Sequence, residues 1–541
     1  MSKFNTTAQR RRPTTPMRVT STPTLTHEGG SGFAKDDKTA LYTLAVTNMV
    51  GEPTFYESGP DRDSRFLDLI RRVTAADPEW MQGFIPWLRD GANMRSAATV
   101  AAVEYLRAGG VHADRVIDAA CQRADEPGEM LAYYWSTNDG RKTLAAALKR
   151  GLAAAAARLY TEYAVLKYDT ATSAVRFGDI IDLTKPVPRG EWQSVLFRHI
   201  LDRRHGYRDD IGVTGFDSLP KLASAYALDD LPAGERRDAL VDPQRLSDAG
   251  YTWERLSGWL PGGMDAAAWE AIIPSMPHMA RLRNLRNFED AKISKSVMRE
   301  VAKSLSDPEV VAKGRQFPYR YWSAFKNSGT LYFAQALEDA LDASMANVPA
   351  FTGRTLIACD TSGSMQNTVG GRSQVQMFEI AALFAATVAS KSEARLIQYA
   401  STYEEVPISN SIFRTVQDIE RRIGSCGHGT MTWPSVIDAH RQFPADRIIV
   451  FTDMQDHPAS PSEGHTNYYS HRSTSRSIRS ADLPDVPIYV WDLRGHETAN
   501  IPNEPNRYLF GGFTDAAFRM ISLLERGRDA KWDDLFGSER V

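Results

Sequence analysis

The chain has 541 residues, 42% hydrophobic and 24% charged, with a formal net charge of -3. That length allows two or three domains with ample core, and the composition excludes collagen-like, low-complexity and wholly disordered classes. No apolar run nears the roughly 20 residues that span a bilayer. The opening Met-Ser-Lys-Phe-Asn and Arg10-Arg11-Arg12 offer no apolar stretch for a secretory signal.

The first segment is basic. Residues 1–27 contain Lys3, Arg10, Arg11, Arg12 and Arg18 and no acid, interleaved with Thr, Ser and Pro. Residues 1–32 are therefore expected to form a disordered basic arm, a segment able to touch nucleic acid.

From 33 to 347 the pattern is helical. Apolar residues recur at spacings of three and four in Ala40–Val46, Ser64–Val73, Ala97–Leu106, Thr143–Tyr163 and Ile293–Leu305. Breaks at Asp77-Pro78, Ala108-Gly109-Gly110 and Pro261-Gly262-Gly263 separate them at intervals suited to paired helices. Such a run predicts an α-solenoid better than a single bundle. Cys121, Cys359 and Cys426 are too widely separated for a disulfide framework or a CxxC metal site, so a reducing, cytoplasmic location is expected.

Residues 348–541 change texture. Short apolar runs at Thr355–Cys359, Ala394–Ala400, Arg447–Phe451 and Pro487–Trp491 alternate with helical patterns at Val375–Ser390 and Asp515–Leu524. This predicts a doubly wound parallel sheet, joined to the helical part near Asn347-Val348-Pro349. Such sheets bind ligands beyond the carboxyl ends of their strands. Asp360, Ser362 and Ser364 follow the first run, Thr430 lies in the loop Gly427-His428-Gly429-Thr430, and Asp453 follows Phe451-Thr452. Carboxylates and hydroxyls make a hard-oxygen set suited to Mg2+ or Mn2+. The plain alternative is a Ser/Asp cluster capping a helix, with no metal. No general base or nucleophile stands out beside the set, since His428 and His457 read as exposed loop residues, so binding and not catalysis is expected. A metal-dependent hydrolase would need more carboxylates than Asp360 and Asp453.

This pattern resembles the metal-ion-dependent adhesion site of von Willebrand factor A domains, in which Asp-x-Ser-x-Ser is followed by a distant Thr and a distant Asp. The spacing to Pro434 leaves Thr432 as a rival to Thr430. In such sites the cation takes an outside ligand, commonly an acidic one.

The helical part carries basic clusters: Arg141 and Lys142, Lys149 and Arg150, and Arg281, Arg283 and Arg286. Between Arg281 and Lys326 there are 11 Lys/Arg against 5 Asp/Glu, a local net of +6. Basic groups neutralise phosphates with little base selectivity. The interleaved rings of Phe317-Pro318-Tyr319-Arg320-Tyr321-Trp322 are candidates for stacking on unpaired bases. A solvated face over buried aromatics is the ordinary reading of the same pattern.

Met276-Pro277, Arg283-Asn284-Leu285 and Pro318-Tyr319-Arg320, followed by the metal-site motif, resemble the Ro autoantigen family. So do Leu44–Gly51, Gly140-Arg141 with Ala164–Tyr168, and Gly511–Asp515. The resemblance spans about residues 36 to 530 and suggests a bacterial-type Ro protein. It implies a TROVE domain, a ring of HEAT-like helical repeats, followed by an α/β doubly wound von Willebrand A domain that closes the ring. It further implies a protein that binds small noncoding Y-like RNA and the single-stranded 3′ ends of misfolded noncoding RNA. The partner would be an exoribonuclease such as polynucleotide phosphorylase. Lys167 then falls in the helix that contacts Y RNA, and Arg281, Arg283 and Arg286 near the RNA-facing surface. Vertebrate members carry a histidine in the following loop, where this chain reads Asp182–Pro186, leaving Lys185 as its substitute. The competing class is a metal-dependent protein-interaction scaffold without RNA.

Overall fold

The structure, a computed structural model, describes residues 18–48, 50–138, 143–206, 216–371, 373–458, 482–527 and 531–536. Helices fill the chain from Asp37 to Ser344. The helix Gly59–Ala76 shows how the sequence writes them. Ser58 accepts a hydrogen bond from the Asp61 N–H, proline stands in the first turn, and Phe66, Leu69, Ile70 and Val73 are buried at helical spacing. Asp77 then ends this helix and caps the next, Pro78–Asp90, accepting from the Trp80 N–H at 3.0 Å. The expected helical span 143–163 is broken. Ala146–Leu159 and Glu162–Tyr168 are separate helices, because Tyr160 and Thr161 are extended and Thr161 caps the second helix through Ala164 N–H. The two ends of the helical arc meet, with Arg315 paired to Asp90 and its carbonyl accepting from Asn93.

The strands are β1 Val19–Leu25, β2 Ser31–Lys35, β3 Phe351–Asp360, β4 Ser392–Tyr399, β5 Tyr403–Val406, β6 Arg447–Thr452, β7 Ile488–Asp492, β8 Thr498–Ala499 and β9 Arg507–Gly511. Among the described residues, six form one sheet in the order β5-β4-β3-β6-β7-β9, parallel except for β5. The four apolar runs expected as strands are β3, β4, β6 and β7. The helix Met377–Ser390 is buried on nearly every side, as an all-apolar helix must be. It lies between the sheet and the last helices of the arc, where Glu379 accepts from Trp322 Nε1 at 2.6 Å and pairs with Lys326. The chain thus joins helical repeats to an A-type α/β domain.

Residues 18–32 correct the expectation of a disordered arm. β1 and β2 form an antiparallel hairpin that pairs with β8, and only residues 1–17 of the arm lie outside the described residues. The alternating Thr and Ser of Val19–Leu25 suit a pleated edge strand. The tail is also fixed by Lys35, which is fully buried and donates to Asp492 at 2.7 Å, to Thr43 Oγ1 at 3.1 Å and to the His496 carbonyl at 2.6 Å. At the other end of the chain, Trp532 and Phe536 pack their rings on Trp80, 5.3 and 5.4 Å away between centroids.

Candidate metal centre and nucleic-acid interface

The strand order turns about β3, whose neighbours run to opposite sides, and the crevice at that point faces the carboxyl ends of β3 and β6. Asp360 closes β3 and Asp453 follows β6, so both carboxylates reach the same rim. Asp360 is fully buried, accepting from the Ser362 N–H at 2.9 Å and from Thr452 Oγ1 at 2.6 Å. Ser362 Oγ and Ser364 Oγ lie 3.4 Å apart. The loop carrying Thr430 is pinned to this turn by Gly363 N–H, which donates to the His428 carbonyl at 3.0 Å. Thr430 is buried there. Thr432 is spent elsewhere, on Asp456 Oδ1 and the Tyr399 hydroxyl.

Electrostatics mark the rim. Burial raises Asp360 to about 6, and burial with the charge of Asp360 raises Asp453 to about 7. Burial also holds Asp456 up at about 7. Arg494 is a nearby counter-charge, itself lowered to about 10 by burial and acting on Asp453. Among the described residues no three His, Cys, Asp or Glu side chains gather as a ligand group. A cation here would rest on two carboxylates plus hydroxyls, and the buried, mutually repelling carboxylates fit that donor set. Sequence reasoning missed Asp456, three residues after Asp453, and Arg494, which carries no motif signal.

The basic residues divide. Arg283, Arg286 and Arg320 are exposed and line one cleft of about 480 Å³ with Ser323 and Asn327. Arg286 pairs loosely with Asp290 at 3.7 Å, and Arg320 lies over the Tyr319 ring at 5.1 Å. Lys149 and Lys185 are exposed, Lys185 in a left-handed conformation at the end of the helix Phe177–Thr184. Lys167 is half-buried over the rings of Tyr163 and Tyr168. Arg281 departs from the expectation of a free surface cation. It is half-buried, donates to Ser304 Oγ and the Pro274 carbonyl, and ties its helix to Lys295–Leu305. Arg141 and Lys142 lie outside the described residues. The ring-stacking expectation is also corrected: Tyr319, Tyr321 and Trp322 are buried core residues, and Phe317 stacks on Tyr319 at 5.4 Å. Their apolar faces are more valuable inside the arc than exposed.

Residues 245–331, which contain the arginine cleft, match the profile of the TROVE domain. No curated protein matches the chain by sequence. The crystal structure of the Ro (RSR) protein of Deinococcus radiodurans superimposes with a TM-score of 0.57 at 14% identity, covering 90% of this chain and 99% of that one. No described helix is long and apolar enough to cross a membrane. In its TROVE segment and in its whole architecture, helical repeats followed by an A-type domain, the chain is similar to a bacterial Ro protein.

Proposed function

We propose that this protein binds RNA in the manner of Ro proteins, holding single-stranded 3′ ends of misfolded noncoding RNA and a small Y-like RNA for a partner exoribonuclease. The observation that carries the reading is the cleft of Arg283, Arg286 and Arg320, inside the segment that matches the TROVE profile. Three guanidiniums lining one cleft fit phosphates bidentately, whatever the base. Lys149, Lys167 and Lys185 extend the basic surface for duplex, whose recognition depends on shape and phosphates. On the A domain, Asp360, Ser362, Ser364, Thr430 and Asp453 would hold Mg2+ or Mn2+ in a binding role without turnover.

The test is RNA affinity of the Arg283→Glu, Arg286→Glu double variant across a salt series. Each lost phosphate contact to a single strand flattens the log–log salt slope by about 0.7, so the pair is expected to flatten it by roughly 1.4. Wild-type affinity and slope in a folded variant would place the RNA surface elsewhere.

A further inference from the structure

The open face of the rim is covered by the chain itself. Between β1 and β2 the turn Thr26–Gly30 lies along the segment that follows Asp453. Thr26 Oγ1 donates to the Asp456 carbonyl at 2.5 Å, Gly30 N–H donates to the same oxygen at 3.2 Å, and His27 N–H donates to Gln455 Oε1 at 2.9 Å. The approach is so close that a Cβ on Gly30 would fall 2.3 Å from the Asp456 carbonyl oxygen. At the tip of the turn Glu28 pairs with His457 at 3.4 Å, both side chains about 30% exposed or less. The His457 backbone N–H donates to the Thr430 carbonyl at 2.9 Å. From the helical side, Tyr56 stacks on His27 at 5.1 Å. His457 thus joins Glu28 to the loop that carries Thr430.

We propose that the β1–β2 turn is the built-in occupant of the cation site's open face, with Glu28 as the carboxylate that the site accepts. This rests on reading Asp360, Ser362, Ser364 and Asp453 as cation ligands. Glu28 does not join the buried carboxylates directly, since no third acidic side chain gathers with them among the described residues. It engages the cation in the outer sphere, through a bound water, as hydrated Mg2+ readily allows. The site then acts inward. It fastens residues 19–35 to the A domain, and a separate acidic partner must displace Glu28 to reach the metal.

The test uses Mn2+ and the full chain. Mn2+ binding is followed by electron paramagnetic resonance, and amide hydrogen exchange over residues 19–35 is compared with and without the ion. In the wild type Mn2+ is expected to slow that exchange. Glu28→Gln is expected to weaken Mn2+ about fivefold and to uncouple hairpin exchange from the ion, while Asp360→Ala abolishes Mn2+ binding. Mn2+ bound through Asp360 with no effect on hairpin exchange, or with unchanged affinity in Glu28→Gln, overturns the role of the turn and leaves the metal reading standing. Absence of any Asp360-dependent Mn2+ binding overturns both. Should Glu28→Gln fail to fold, His457→Gln removes the side chain that pairs with Glu28; loss of the Mn2+ effect supports the proposal and retention overturns it.

Discussion

Replacing Lys35 by Met tests whether the buried pair at the root of the hairpin holds the start of the chain to the A domain. Lys35 and Asp492 are both fully buried, and all three ammonium hydrogens are used, on Asp492, Thr43 and the His496 carbonyl. Burial holds the Lys35 amine below its usual value, as expected for an ammonium taken out of water. After substitution the Asp492 carboxylate keeps the N–H groups of Arg494 and Gly495 at 2.8 and 2.7 Å but loses its ion-pair partner, with Arg62 acting on it only at longer range. Leaving one buried charge unpaired costs about 3–5 kcal/mol. Because a chain with two packed parts need not unfold in one step, the loss is best read locally. Hydrogen exchange of residues 19–35 is expected to accelerate by roughly two to nearly four orders of magnitude, at about 1.4 kcal/mol per tenfold. Adding Asp492→Leu should recover much of the loss, since an apolar pair replaces a buried ion pair at little cost. Acceleration below about tenfold would refute the claim that this pair anchors the hairpin.

Three further outcomes are expected. Gly30→Ala places a Cβ against carbonyl oxygens of Asp456 and His457, which as backbone cannot yield; it should destabilise hairpin docking by about 1–3 kcal/mol, read by the same exchange. Burial and the nearby Arg281 push His278 down to about 4, and its Nε2 lies 2.9 Å from the Tyr321 hydroxyl. The unfolded chain then takes up a proton near pH 6.5 that the folded chain refuses until about 4, so stability falls as pH drops through that window; urea titrations of wild type and His278→Gln should differ in slope there and agree above pH 7. Glu379→Ala removes the acceptor shared by Trp322, Lys326 and Gln376 N–H, and should cost roughly 2–3 kcal/mol in thermal unfolding.

The sequence was most legible where periodicity is strong and local. The strands β3, β4, β6 and β7 each hold a short apolar stretch, and Asp360 and Asp453 stand at the ends of β3 and β6 because chain order itself delivers a residue to a strand's carboxyl edge. The edge strands β5 and β9 escaped, since Tyr403–Val406 and Arg507–Gly511 mix polar and apolar residues as edges do. Function-bearing contacts between distant segments were invisible. Nothing near Glu28 signals that His457 pairs with it or that Gln455 and Tyr56 meet the adjacent His27, and nothing at Arg281 says that Ser304 takes its guanidinium. The opposite error arose at Tyr319–Trp322, where an aromatic and basic run looked like a stacking surface and is core.

The packing of Trp532 and Phe536 on the helix Pro78–Asp90 sets the order in which the molecule can be completed. Trp80, Phe84 and Trp87 all meet the ring of Phe536. Those aromatics leave the ribosome roughly 450 residues before the partner that covers them, a wait of about 20–90 s at 5–20 residues per second. Throughout synthesis the first helices therefore carry an aromatic face that Phe536 has yet to cover. A chain truncated just before Trp532 would leave that same face permanently bare, far from the cut along the sequence though beside it in space.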